Sequence, residues 1–342
     1  MQKTDAVNMK RAVRLARKAL GMTSPNPLVG AVITTPDGRT VLGEGWHKRC
    51  GGPHAEIEAI NSLPDPAAAE GAAIYVTLEP CSTFGRTPPC CDAIIRAGFS
   101  RVVIGNIDPN PKHAGRGIDR LREAGIDVVY GVEDKACAAL NEAFFHWIVT
   151  KRPFVLLKMA QTLDGKIATA SGSSQWITGD PAARKRVREL RLWCDAILAG
   201  AETYRLDQPA LTARDKNGKI LKTPRRIIAS HQTELVAAEG FEIFSDDDWD
   251  GLLDRLGGEN VTSLLIEGGG EVAASALKAG IVDKIEFHIA PKLLGGRNSR
   301  TSVGGENPLR IDEAFKLDGM TAAKLGPDLM ITGYPVKNKE NC

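Results

Sequence analysis

Apolar positions in the first twenty residues recur at helical spacing. Val7, Ala12, Val13, Leu15, Ala16, Ala19 and Leu20 fall near one face before Gly21, which predicts an amphipathic helix stopped by the glycine. Beyond it the apolar residues come in short unbroken runs. Residues 28–33, 75–78, 102–104 and 127–129 predict buried strands, and 55–62, 91–97 and 118–124 predict helices between them. Strands alternating with helices of this length predict an α/β layered sheet. A helical stretch then runs into Thr150-Lys151-Arg152-Pro153, and a new apolar strand begins at 154–157. The residue before a proline is biased away from helix, so a domain boundary is expected there. The remainder repeats the rhythm, with strands at 196–199, 226–229, 263–266 and 285–289, without copying the first half. Two domains, 1–150 and 151–342, agree with the length of 342 residues.

Composition adds mainly exclusions. With 43% apolar and 25% charged residues, each half has material for a core. No apolar run approaches a membrane span and the first twenty residues carry charge throughout, so a cytosolic protein with no signal peptide and no membrane partner is expected. Lys and Arg number 17 against 16 acidic residues in the first half and 27 against 26 in the second. Neither half has the basic excess of a nucleic-acid-binding domain, and none is expected as a partner. Seven cysteines are an odd count for a disulfide framework, so ligation, catalysis or burial must account for them.

Five residues stand out in the first half. GGPHAEIEA sets His54 and Glu56 two apart at the start of a predicted helix, and LEPCSTFGRTPPCCDA supplies Cys81 with Cys90 and Cys91 at the entrance to another. Thiolates and a neutral imidazole are the preferred ligands of Zn2+, and three protein ligands leave the open position that marks a catalytic site. Glu56 is placed to shuttle a proton. His-x-Glu followed by Pro-Cys-x-x-Cys is the signature of zinc deaminases acting on nucleobases. Here eight residues, not two, separate Cys81 from Cys90, and the adjacent Cys91 is an equally good candidate on the residues alone.

The first half resembles the deaminase domain of the bifunctional riboflavin-biosynthesis deaminase/reductases, on SPNPLVGAV, GWHKRCGGPHAE, YVTLEPCSTFGRTPPCC and DPNPKHAGRGIDRLREAGI. The resemblance implies a cytidine-deaminase-like α/β/α layered domain with His54, Cys81 and Cys90 as zinc ligands and Glu56 as catalytic acid–base. It implies substrate contacts from Asn26, His47 and Arg86, and that Cys91 is not a ligand. Cys50, Cys91, Cys137 and Cys194 are then buried or incidental.

In the second half no G-x-G-x-x-G follows a strand, so the usual dinucleotide fingerprint is missing. TSLLIEGGGEVAASALKAG reads instead as strand, Gly268-Gly269-Gly270, helix, a turn that offers backbone N–H groups to an anion. This turn, RPFVLLKMAQTLDGKIATASGSSQWITG, ILAGAETYRLDQPALTAR and FHIAPKLLGG resemble the reductase domain of the same family, which is dihydrofolate-reductase-like α/β in fold and uses NADPH. By that resemblance Ala160, Trp176, Thr203, Asp207, Ser230 and Gly268–Gly270 contact the cofactor. Lys158, Ser174, Arg191, Leu211, Arg214 and Glu267 contact the substrate, with Arg191 and Arg214 able to grip a sugar phosphate. The run Arg184-Lys185-Arg186 reads as a solvated helix face. The family implies deamination of a diamino-ribosylaminopyrimidinone phosphate, then reduction of its ribosyl chain to ribityl, by a homo-oligomer working on small molecules. Two other readings are a nucleic-acid base deaminase with an appended binding domain, which the even charge and 5% aromatics disfavour, and a zinc-stabilised interaction module with a fourth protein ligand.

Overall fold

The computed structural model describes residues 3–84, 88–111, 114–175, 177–231, 238–245 and 247–337. Its contacts divide the chain into two units, Met1–Lys151 and Arg152–Cys342. Among the described residues no helix is long and apolar enough to cross a membrane.

The first unit runs α1 (Lys3–Ala16), β1 (Gly30–Thr34), β2 (Val41–Trp46), α2 (Ala55–Asn61), β3 (Ala73–Leu78), α3 (Cys90–Arg96), β4 (Arg101–Asn106), α4 (Arg116–Glu123), β5 (Asp127–Tyr130), α5 (Asp134–Ala138) and α6 (Glu142–Thr150). The sheet order is β2-β1-β3-β4-β5. β3, β4 and β5 are parallel, and β1 is antiparallel to both its neighbours. β3 is buried along its whole length because alternate residues serve different cores. Ile74 and Val76 pack with Ala55, Ala59, Cys91, Ile94, Ile118 and Leu121 of α2, α3 and α4. Ala73 and Tyr75 pack with Met9, Ala12, Val13 and Ala16 of α1 and with Cys137 of α5. The result is the expected three-layered α/β/α domain.

Two details depart from the sequence pattern. Val7, assigned to the apolar face of α1, is 64% exposed, while Met9 is fully buried in its place. β2 was not predicted, because its VLGEGW sequence contains two glycines. They are there for proximity: a Cβ on Gly45 would lie 2.2 Å from the Ala59 backbone nitrogen, so α2 rests directly on the strand. That close approach brings the start of α2 to the sheet end where β3 finishes.

The second unit contains β6 (Phe154–Thr162), β7 (Lys166–Ala168), α7 (Pro181–Trp193), β8 (Ala196–Gly200), α8 (Ala201–Asp207), β9 (Ala213–Arg214), β10 (Ile220–Lys222), β11 (Arg225–Ala229), β12 (Phe241–Phe244), α9 (Trp249–Gly258), β13 (Ser263–Glu267), α10 (Gly270–Lys278), β14 (Lys284–Ala290), β15 (Arg300–Thr301), β16 (Leu317–Leu325) and β17 (Asp328–Pro335). Its eight-stranded sheet has the order β12-β11-β8-β13-β6-β14-β17-β16. The first six strands are parallel and the β16–β17 hairpin closes one edge antiparallel. Val155, Leu157, Leu264 and Ile266 pack against α9 and α10. Leu156, Ile197 and Leu265 face the other way and pack with Leu190 of α7. Lys158 and Glu267 continue the α7-facing rows, so that face turns from apolar to charged towards the C-terminal ends of the strands, where open α/β sheets bind their ligands.

Candidate active sites

In the first unit, the ends of three elements converge. His54 occupies the position before α2 in an extended conformation, and Cys90 opens α3 behind Pro89. Cys81 follows β3, and its Sγ accepts a hydrogen bond from the Cys90 backbone N–H at 3.3 Å. His54 Nδ1 lies 3.6 Å from Cys81 Sγ and 3.3 Å from Cys90 Sγ, and the three atoms all fall within 4.8 Å of one another. Tetrahedral zinc with bonds of about 2.3 Å to sulfur and 2.0–2.1 Å to nitrogen separates its ligand atoms by about 3.6–3.8 Å. The donor set and spacing therefore fit that ion. Cys91 is turned away, its thiol donating to Pro80 O at 3.4 Å.

The three donor groups perturb one another's protonation. The thiol of Cys90 and the imidazole of His54 pull Cys81 down to about 4, and the bond to Cys81 raises His54 to about 9. Burial, beside the Cys81 sulfur, pushes the Glu56 carboxyl up to about 7. Glu56 is 3% exposed in the first turn of α2, and a buried acid poised near neutrality is suited to proton transfer.

Asn26 and His47 flank the cluster. His47 Nδ1 donates to Pro53 O at 2.9 Å, which leaves Nε2 to accept from the Asn26 amide at 3.2 Å. The His47 ring stands edge-on to His54 at 5.6 Å. Asn141 fixes the approach to β1 by accepting from Leu28 N at 2.8 Å and donating to Leu28 O at 2.9 Å. Arg86 lies outside the described residues.

One positioning residue escaped the sequence reading. Glu79, buried just ahead of Pro80 and Cys81, accepts from the backbone N–H groups of Asp108 (3.1 Å), Gly115 (3.0 Å), Gly117 (2.8 Å) and Ile118 (3.4 Å). A Cβ on Gly117 would lie 2.3 Å from Pro80 O, so the entrance to α4 is clasped against the loop that carries Cys81. A carboxylate between an apolar strand and Pro-Cys was the available signal, since a buried charge requires partners.

The second unit has a cleft of about 870 Å³ at the C-terminal ends of its parallel strands. Lys158, Ala160, Ser174, Arg191, Thr203, Asp207, Leu211, Ser230, Glu267 and Gly268–Gly270 all line it. Gly268 and Gly269 have φ of 91° and 87°, and a Cβ on Gly270 would come within 2.5 Å of Thr301 O. These positions need glycine, and the turn opens at the N-terminus of α10. The Ser174 hydroxyl donates to Asp207 at 3.1 Å. Glu267 takes both Nε (2.9 Å) and Nη2 (3.2 Å) of Arg191 and lies 3.7 Å from Lys158 Nζ. Burial opposes the Glu267 charge, but Arg191 and Lys158 outweigh it and hold the carboxyl at about 2. Burial also pulls the Lys158 ammonium below its ordinary range.

The basic residues differ from expectation. Arg214 is exposed and away from the cleft, its guanidinium bonded to Thr212 Oγ1 (3.1 Å) and Gly218 O (3.0 Å). Arg191 reaches the cleft, but its guanidinium is committed to Glu267. Arg205, Arg297 and Arg300 line the cleft instead, and among the described residues Arg205 and Arg297 have no carboxylate partner. Arg186, read as part of a solvated face, is bound to the buried Glu286 through Nε (2.9 Å) and Nη2 (2.7 Å). Trp176 lies outside the described residues.

Comparison with known proteins agrees with this two-part chemistry. The family described as "Cytidine and deoxycytidylate deaminase zinc-binding region" matches residues 2–106, and "RibD C-terminal domain" matches residues 153–331. The riboflavin biosynthesis protein RibD of Actinobacillus pleuropneumoniae is 42% identical over 360 residues, which cover 96% of this chain and 94% of the relative. The chain belongs to the RibD family. A solved Acinetobacter baumannii RibD superposes with a TM-score of 0.86 at 32% identity, covering 98% of this chain and 99% of that one. The Thermotoga maritima diaminohydroxyphosphoribosylaminopyrimidine deaminase/5-amino-6-(5-phosphoribosylamino)uracil reductase gives 0.83 at 35% identity, covering 97% and 99%. The RibD likeness thus spans both units and not the deaminase half alone.

Proposed function

We propose that this RibD-family chain is a bifunctional enzyme of riboflavin biosynthesis, with a zinc-dependent deaminase in residues 1–150 and an NADPH-dependent reductase in residues 151–342. Its substrate is the diaminohydroxy-phosphoribosylaminopyrimidine named for the Thermotoga relative. The observation that carries the reading is the pairing of a His54–Cys81–Cys90 triangle of zinc dimensions with a buried Glu56 two residues from His54. The cysteines, free thiols among the described residues, support a reducing cytosolic location. The partners we propose are small molecules and further copies of the chain, the latter carried over from the family.

His54, Cys81 and Cys90 would hold the metal, with the Cys90 N–H bond to Cys81 Sγ stabilising thiolate. When bound, zinc supplies Lewis acidity that makes a water nucleophilic near neutral pH. The Glu56 carboxylate takes a proton from the attacking water, then delivers it to the ring nitrogen, and a second transfer lets the amine leave as ammonia. Asn26, with its amide oriented by His47, contacts the pyrimidine, and Arg86 the substrate's anionic end.

In the reductase the Gly268–Gly270 turn at the start of α10 would hold the pyrophosphate, and the cleft-lining Ala160, Thr203, Asp207 and Ser230 would contact the rest of the cofactor, as would Trp176 by the family resemblance. NADPH supplies the hydride. Lys158 lies on the floor of the cleft as an ammonium that pairs with the sugar oxygen gaining negative charge, and Ser174 and Glu267 fix the sugar chain. Arg205 and Arg297 are better placed for phosphate groups than Arg191 or Arg214, whose guanidinium groups are already bonded.

The test is incubation of the purified protein with the diaminopyrimidine substrate, with and without NADPH. The deaminated ribosyl compound is expected without NADPH and the ribityl compound with it. Absence of ammonia release in zinc-loaded protein would overturn the deaminase assignment, and absence of NADPH oxidation with deaminated substrate would overturn the reductase assignment.

A further inference from the structure

The α7-facing side of the second sheet carries a second carboxylate beside Lys158 that the reaction above does not use. β13, β6 and β14 are adjacent parallel strands, and their pairing sets Glu267, Lys158 and Glu286 in one register row. Registered neighbours on parallel strands project from the same face about 4.8 Å apart. The lysine is therefore flanked by a carboxylate on each side. Glu267 lies in the cleft with Lys158. Glu286 lies on the other side of Lys158 from Glu267, 1% exposed and outside the cleft lining.

Glu286 is held with unusual completeness. Arg186 of α7 grips it with Nε and Nη2 at 2.9 and 2.7 Å, and His288 Nε2 contacts Oε1 at 2.8 Å. His288 is fully buried two residues further along the same face of β14, and its Nδ1 has no partner among the described residues. Replacing such a cluster with apolar residues would often cost nothing in stability, so stability alone does not account for its place beside the cleft lysine. Three groups approach from α7: Arg186, its neighbour Glu189 at 3.5 Å, and Arg191. Glu267 approaches from β13, and Asp328 adds its charge near His288 from β17.

We propose that Glu286, fixed by Arg186 and His288, is a positioning residue for the reduction: from the strand beside Lys158, outside the cleft lining, it holds the Lys158 ammonium in the place where the sugar oxygen gains negative charge. Its action is electrostatic and passes through Lys158, since Glu286 itself cannot reach the substrate. The row alternates minus, plus, minus across three strands. Burial alone works against the lysine charge, and each flanking carboxylate is shared with a guanidinium, Glu267 with Arg191 and Glu286 with Arg186, so neither alone is left wholly to the lysine.

The inference rests on the reductase assignment, and the experiment separates the two. The pH dependence of kcat/KM for NADPH oxidation is measured with deaminated substrate for the wild type, Glu286→Gln and Arg186→Gln. Dissociation of NADPH, followed by fluorescence, reports that the cleft remains folded. Without the Glu286 charge the ammonium is lost at lower pH, so the alkaline limb should move down by about one pH unit, giving about a tenfold loss on that limb. Arg186→Gln frees Glu286 from its guanidinium and should move the same limb upward. NADPH affinity should stay within about twofold in both. Wild-type protein without NADPH oxidation would sink the reductase reading itself. Active wild type with unmoved alkaline limbs in NADPH-binding variants would overturn the role of Glu286 alone. If Glu286→Gln does not fold, a limb in Arg186→Gln that is unmoved or shifts downward overturns it.

Discussion

Cys90 and Cys91 are consecutive in the chain and opposite in environment. Cys90 Sγ lies 3.3 Å from His54 Nδ1, while the Cys91 thiol points into the core and donates to Pro80 O at 3.4 Å. Cys91 is buried, its thiol raised to about 12 by that burial, and it lies outside the His54–Cys81–Cys90 triangle, out of reach of a metal held there. Cys90→Ser should therefore empty the zinc site and abolish deamination, whereas Cys91→Ser should keep a full equivalent of zinc. Metal analysis of the two purified variants decides the matter; equal zinc in both would mean the ligand assignment is wrong.

Glu56→Gln should lower deamination at least ~10²-fold, the lower end for general acid–base groups, with zinc retained. Loss of metal in step with activity would make Glu56 a ligand and not a proton carrier.

The same residue should leave a mark on stability in metal-free protein. Burial raises its carboxyl to about 7, above an unfolded value of about 4.3. A group shifted upward favours folding while protonated, and that contribution disappears as pH rises from about 4.3 to about 7. Urea unfolding of chelated protein should show Glu56→Gln gaining about 3 kcal/mol on the wild type between pH 4 and 8. Parallel pH curves for the two proteins would contradict the burial argument.

Chelation should act unequally on the two activities. Every zinc-cluster residue lies in the first unit, and the cleft-lining residues lie in the second. Metal removal should stop ammonia release and leave NADPH oxidation with deaminated substrate within about twofold. Joint loss in protein that remains folded by circular dichroism would show that the units share an element.

Gly270→Ala should weaken NADPH binding about tenfold or more, because the new methyl would sit 2.5 Å from Thr301 O and displace the turn that opens α10. Deamination provides the control. Unchanged NADPH affinity would mean that the turn is not the pyrophosphate site.

Much of both sites was legible because their chemistry sits on short motifs at element ends. His54, Glu56 and Cys81 are fixed by a strand or helix terminus a few residues away, and local sequence specifies such termini well. What escaped depends on distant parts of the chain. β2 was hidden by Gly43 and Gly45, whose use appears only once α2 lies against them. The β16–β17 hairpin was missed because β16 is largely exposed and so lacks the apolar alternation that marks a half-buried strand. Arg186 looked solvated because its partner, Glu286, is 100 residues away. Arg214 bonds Thr212 Oγ1 and Gly218 O, contacts that residue type alone cannot report. Glu79 went unnoticed for the same reason, as its four donors come from the loop after β4 and the first turn of α4.

The Cys90 N–H bond to Cys81 Sγ ties together the two ends of an eight-residue loop, STFGRTPP, so the metal ligands keep their spacing whatever lies between them.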